Sequence, residues 1–118
     1  MADLDLNDRL DFIEFRQELL YENSPFSRLL FHYKFTRQQY NSLLELLDEY
    51  REKIDNNEKV VHSTFENRIY AISEECKRDY HFVESLTRHL YDAGRYEEIF
   101  VALYGGLAKY KYLFEEQR

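Results

Sequence analysis

Leu6, Leu10, Ile13, Gln17 and Leu20 open the chain in steps of four and three residues, the spacing of a coiled-coil seam. Phe12, Phe15 and Leu19 make a second apolar strip on the same stretch. The pattern predicts a helix from about Leu6 to Tyr21 with two apolar faces, one for the core and one for a partner. The seam spans about two heptads, too short for a free-standing coiled coil.

Further helices follow, most with a start signal. Ser24 is a cap and Pro25 suits the first helical position, where no amide hydrogen bond is lost. The short helix behind them carries Leu29, Leu30 and Phe31. Thr36, with Gln39 three residues on, is a capping box. Tyr40, Leu43, Leu44, Leu47, Tyr50 and Ile54 then share one face, and Leu46 lies off it as a second contact. The polar run from Asp55 to Lys59 ends that helix. Ser63 and Glu66 form another capping-box candidate, with Phe65, Ile69, Ile72 and Cys76 behind it in steps of four, three and four. Asp79 caps a fifth helix striped by Val83, Leu86 and Leu90, and Gly94 is its left-handed stop. The last helix runs from about Tyr96, with Ile99, Leu103, Leu107, Tyr110 and Phe114 on one face. Gly105 and Gly106 fall inside that run, where each costs about 1 kcal/mol relative to alanine. A kink, or two helix backbones in close approach, would account for them.

The expected fold is all-α: a single helical domain over residues 1–118, a compact array of five to six helices with a C-terminal helical hairpin around Gly94. That hairpin resembles the turn of a tetratricopeptide unit. A tetratricopeptide array needs several copies at a period of about 34 residues, and the chain has no such self-similarity. One proline and three glycines in 118 residues agree with helices rather than a turn-rich β fold.

Net charge is −7, concentrated at the start: residues 1–22 hold seven acidic side chains against two basic ones. Such a surface repels nucleic acid, and no basic stripe offsets it, so direct nucleic-acid binding is not expected. The acidic segment reads as a solvated helix face, or as a surface for a basic partner. No apolar run nears the roughly 18 residues of a membrane span, so no membrane contact is expected. The opening residues lack the basic and apolar regions of a secretory signal. Cys76 is the only cysteine, which agrees with a reducing compartment and a cytoplasmic location.

Two stretches carry a family resemblance: "SPFSRLLFHYKFTRQQYNSLLELLDEY" and "STFENRIYAISEECKRDYHFVESLTRHLYDAGRYEEIFVALYGGLAKY". Their specific points are Pro25-Phe26, Thr64-Phe65, and the hairpin around Gly94 with Tyr96 and Glu98. The chain resembles the YhaI-like family, small cytoplasmic helical proteins of Firmicutes, from about residue 8 to 111 in matching order. The resemblance implies an all-α fold and supplies no catalytic residues. Where that family tends to place a glycine, this chain has Lys34, which takes a left-handed conformation only at some cost.

Candidate chemistry is sparse. His81 and Glu84 sit three apart on one face, but a di-iron bundle wants two Glu-x-x-His motifs and two further glutamates. His32, His62 and His89 add no metal-ligand spacing, so no metal or cofactor is expected. Cys76 closes an apolar stripe and reads as a buried inert thiol rather than a nucleophile. "YGGLAKY" falls short of a nucleotide-binding pattern. Tyrosine is abundant, with eleven residues, and Tyr104, Tyr110 and Tyr112 cluster near the end. Tyrosine-rich surfaces are common at interfaces.

The expected function is a non-enzymatic interaction or regulatory protein working as a homo-oligomer, with itself and an unidentified protein as partners. Phe12, Phe15 and Leu19 on the first helix, and Tyr104, Gly105, Gly106 and Tyr110 on the last, are the candidate interface. One alternative is a helical-bundle enzyme or ligand-binding protein using His81, Glu84 and Cys76. Another is an acidic inhibitor of a nucleic-acid-binding protein.

Overall fold

The structure, a computed structural model, describes residues 2–115, with side chains from 5 to 113. Helices α1 (Ala2–Glu22), α2 (Pro25–His32), α3 (Arg37–Asp55) and α4 (His62–Ile72) come first. A 3-10 turn at Glu74–Cys76 leads to α5 (Tyr80–Asp92) and α6 (Glu97–Tyr104). A second 3-10 turn at Ala108–Tyr110 precedes α7 (Lys111–Glu115). No strand occurs among the described residues.

Local side-chain chemistry sets three of the helix starts, those of α2, α3 and α5. Ser24 Oγ accepts from the Ser27 amide while Ser27 Oγ accepts from the Ser24 amide. Thr36 and Gln39 exchange the same pair of bonds at α3. Asp79 caps α5 by accepting from Phe82 N, and its other oxygen accepts from Tyr33 Oη at 2.7 Å. The stops of α2, α3 and α5 share one geometry. Lys34, Asn57 and Gly94 all have positive φ, and each is followed by an amide that reaches back to a carbonyl five residues earlier. Lys34 thus adopts the left-handed turn without glycine, at a cost of about 1–2 kcal/mol.

One core joins the helices. Phe35, Leu43, Leu47, Phe65, Ile69, Phe82, Val83, Leu86, Ile99 and Phe100 are fully buried. Phe82 lies between Tyr33 at 4.3 Å and Phe35 at 5.7 Å, and Tyr50 meets Phe65 edge-on at 4.8 Å. Leu46, off the main stripe of α3, is buried too, because α3 has neighbours on more than one side.

Helix α1 divides its two strips cleanly. Phe15 and Leu19 are buried, with the Phe15 ring 5.5 Å from that of Tyr40, and Phe12 is half-buried. Leu6, Leu10, Ile13 and Leu20 are about half exposed, between 48% and 54%. At about 100° per residue the two strips lie about 150° apart around the helix, so one helix cannot turn both inward. Arg16 clamps the packed side, its guanidinium 3.7 Å over the Phe31 ring and donating to the Phe31 carbonyl. Arg37 on α3 binds Asp11 and Glu18, one above the other on α1.

Three expectations need correction. The helix predicted through Cys76 stops at Ile72, because Ser73 is extended; Cys76 is still fully buried, at the end of a 3-10 turn. Ser63 does not cap α4: the helix already starts at His62 behind the cap residue Val61, which puts Ser63 inside the first turn, and the Glu66 carboxylate is on Tyr104 rather than on the helix start. The last helix breaks after Tyr104, which gives seven helices among the described residues rather than five to six. The side chains buried before the break are Ile99, Phe100, Leu103 and Tyr104, and Leu107 is exposed. The expected placement of Phe114 concerns a side chain outside those described.

Glycine explains that break only at Gly105. A Cβ there would run into the Val101 carbonyl oxygen, whereas nothing lies within 4 Å of one at Gly106. No second helix backbone crowds either position. Gly105→Ala is therefore expected to lower the urea midpoint clearly, and Gly106→Ala to leave it nearly unchanged. Equal effects from the two substitutions would contradict the steric assignment.

Candidate functional site

A cleft of about 690 Å³ opens between α4, α5 and the turn that follows α6. Helical spacing brings its walls together. His62, Glu66 and Tyr70 recur every fourth residue on α4, and Tyr80 and Glu84 do the same on α5. Tyr104, Leu107, Ala108 and Lys109 close the third side, where the backbone leaves the helix at Gly105.

Two carboxylates form the polar part of this cleft. Glu66 is 9% exposed and Glu84 is 8% exposed. Tyr104 Oη donates to Glu66 Oε2 at 2.6 Å, and His62 Nδ1 stands 3.4 Å from the same oxygen. Glu84 Oε2 accepts from Lys109 Nζ at 2.7 Å and from Tyr110 Oη at 2.8 Å. Burial pushes the Glu84 carboxyl up. Bonds from Lys109 and Tyr110 outweigh it, so its pKa falls below the ordinary 4.5. Burial and then the bond to Glu66 raise the Tyr104 hydroxyl far above the usual tyrosine range, which keeps it a proton donor. Burial and the bond to Glu84 push Tyr110 up to about 12.

The residues singled out from sequence are scattered relative to this cleft. Of the proposed trio His81, Glu84 and Cys76, only Glu84 lines it. His81 is exposed, and the Cys76 thiol is fully buried, donating to the Ser73 carbonyl at 3.2 Å. Desolvation pushes that thiol up, away from a reactive thiolate. Among the described residues no group of three or more His, Cys, Asp or Glu is arranged to hold a metal. The seven expected interface residues also separate. Phe15 and Leu19 are inside the chain's own core, Phe12 is half-buried beside Arg16, and Tyr104 is buried on Glu66. Tyr110 is half-buried on Glu84, and Gly105 and Gly106 form the turn. The free apolar surface of α1 is the other strip. Sequence reasoning passed over His62, Glu66, Tyr70, Tyr80 and Lys109 as a site. The two runs at steps of four were the available signal.

Because the folded-state pKa of Glu84 is depressed, its contribution to stability is present above the unfolded value and disappears as pH falls through the folded one. The stability gap between the wild type and Glu84→Gln should be full at neutral pH and narrow below about 4.5, the ordinary value. Urea titrations of both proteins across the acid range measure it. A gap that does not change with pH would contradict the ion-paired role of Glu84.

No family model, no curated protein and no solved structure matches this chain.

Proposed function

We propose that this chain is a non-enzymatic interaction or regulatory protein that acts as a homodimer joined along α1. One observation carries the reading: the exposed seam of Leu6, Leu10, Ile13 and Leu20 keeps coiled-coil spacing, on the side of α1 turned away from the chain's own core. A symmetric pair is the commonest way to cover such a strip. Charge selects the occupant. With Leu6, Ile13 and Leu20 at the d positions and Leu10 and Gln17 at a, Arg9 falls at g and Glu14 at the next e. In a parallel pair each Arg9 meets the Glu14 of the other copy. Arg9 and Glu14 are both exposed. Gln17 at a core position favours a single register over a tighter but less specific seam.

A cytoplasmic location belongs to the same proposal. Among the described residues no helix is long and apolar enough to cross a membrane, and the single cysteine is a buried free thiol. Membership of the YhaI-like family is likewise proposed, supported by the stretches around Pro25-Phe26, Thr64-Phe65 and Gly94.

Light scattering after size exclusion should give twice the chain mass of 14.5 kDa at micromolar concentration. Leu10→Asp with Ile13→Asp should return it to one chain while helix content is kept, since both positions are exposed. Arg9→Glu alone should weaken the pair, and Arg9→Glu with Glu14→Arg should restore it. A single-chain mass for the wild type at these concentrations would remove the proposal.

A further inference from the structure

A second site, independent of α1, lies in the cleft between α4, α5 and the turn after α6. Its volume of about 690 Å³ is within the range of small-ligand pockets, roughly 300–1,000 Å³. The two carboxylates in it are not equivalent. Glu84 has a fixed cation in Lys109. Glu66 is nine-tenths buried, yet no lysine or arginine pairs with it among the described residues. Its neighbours are the neutral Tyr104 hydroxyl and the His62 ring, 3.4 Å away with a half-exposed side chain. Both approach Oε2, and Oε1 accepts no hydrogen bond from the described residues. One carboxylate oxygen is thus left for a cation delivered from solvent, which an ionised carboxylate holds by charge-assisted hydrogen bonds. The walls favour the same ligand. Tyr70, Tyr80 and Tyr104 line the cleft with rings, which attract a cation at their faces and an apolar group at any edge. An anion would meet Glu66 unscreened, and Lys109 is already held by Glu84.

We propose that this cleft binds a small organic ammonium ion, a protonated primary amine on an apolar or aromatic body, with its N–H groups on Glu66. The amine supplies the missing cation and up to three donors, and its body lies against the tyrosines and Leu107. The carboxylate therefore sets charge selectivity, and the rings set the size and flatness of the body.

Calorimetric titration with phenethylammonium chloride tests this, with phenethyl alcohol as the neutral analogue and hydrocinnamate as the anionic one. The ammonium ion should bind one per chain, the alcohol at least about tenfold more weakly, and hydrocinnamate not at all. Glu66→Gln should lower the affinity for the ammonium ion about tenfold and leave that for the alcohol unchanged. If Glu66→Gln fails to fold, Leu107→Trp, at an exposed position that lines the cleft, should block the ammonium ion. The proposal is overturned if the ammonium ion and the alcohol bind alike. It also falls if the ammonium ion does not bind at millimolar concentration, or if Glu66→Gln, when folded, or Leu107→Trp leaves its binding intact. The Leu10→Asp, Ile13→Asp protein should bind the ammonium ion as the wild type does, so failure of the dimer and failure of this site are separate results.

Discussion

A tyrosine ring gains from burial only if its hydroxyl keeps a hydrogen-bond partner. With eleven tyrosines and no tryptophan, this chain meets that constraint repeatedly. Carboxylates answer it in four places. Tyr33 donates to Asp79, Tyr96 to Asp48, Tyr104 to Glu66 and Tyr110 to Glu84, all between 2.6 and 2.8 Å. Each bond spans at least 26 residues of sequence and ties two elements together. The turn after α2 is joined to the start of α5, α3 to the start of α6, α4 to the end of α6, and α5 to the second 3-10 turn. Asp48, Glu66, Asp79 and Glu84 are therefore structural acids, serving as acceptors for tyrosine rings packed on the core.

The same ties create the cleft. Glu66 and Glu84 are drawn in by Tyr104 and Tyr110, and each bond engages one carboxylate oxygen. The bend at Gly105 carries the chain off the end of α6 and leaves space beside those carboxylates. Helix α1 has no such tie among the described residues. It is held by Phe15 and Leu19, by Arg16 over Phe31, and by exposed ion pairs from Arg37. Exposed pairs contribute little and weaken with salt, so the attachment of α1 rests on Phe15, Leu19 and Arg16 more than on Arg37.

The helical class was legible because caps and stripes agreed. Ser24, Thr36 and Asp79 act where the pattern places them, and Gly94 ends α5 in the left-handed conformation. What was not legible follows from contacts distant in sequence. Glu66 has the spacing of a capping box with Ser63, but Tyr104, 38 residues away, claims it instead. The stripe from Ile99 to Phe114 has helical period throughout, and period alone does not record that a Cβ at Gly105 would strike Val101. On α1 the pattern identified two strips with no means of ranking them. The ranking came from Tyr40 and Phe31, which receive Phe15 and Arg16. The cleft was missed for the same reason, since its two runs at steps of four are ordinary helix faces until α4 and α5 are placed side by side.

Asn23, Lys34, Asn57, Arg78 and Tyr96 all turn the chain at positive φ while carrying side chains. Glycine would relax each of these turns in the folded state, but it would also enlarge the set of shapes open to the unfolded chain. These corners are thus stiff on both sides of the folding equilibrium. Tyr96 shows how such a corner is kept: its hydroxyl is on Asp48, and the Arg51 guanidinium lies 4.2 Å over its ring. The turn between α5 and α6 is in that sense a sprung joint, latched by α3 rather than by its own preference. Without the latch the corner would be left in a backbone conformation that its own side chain disfavours.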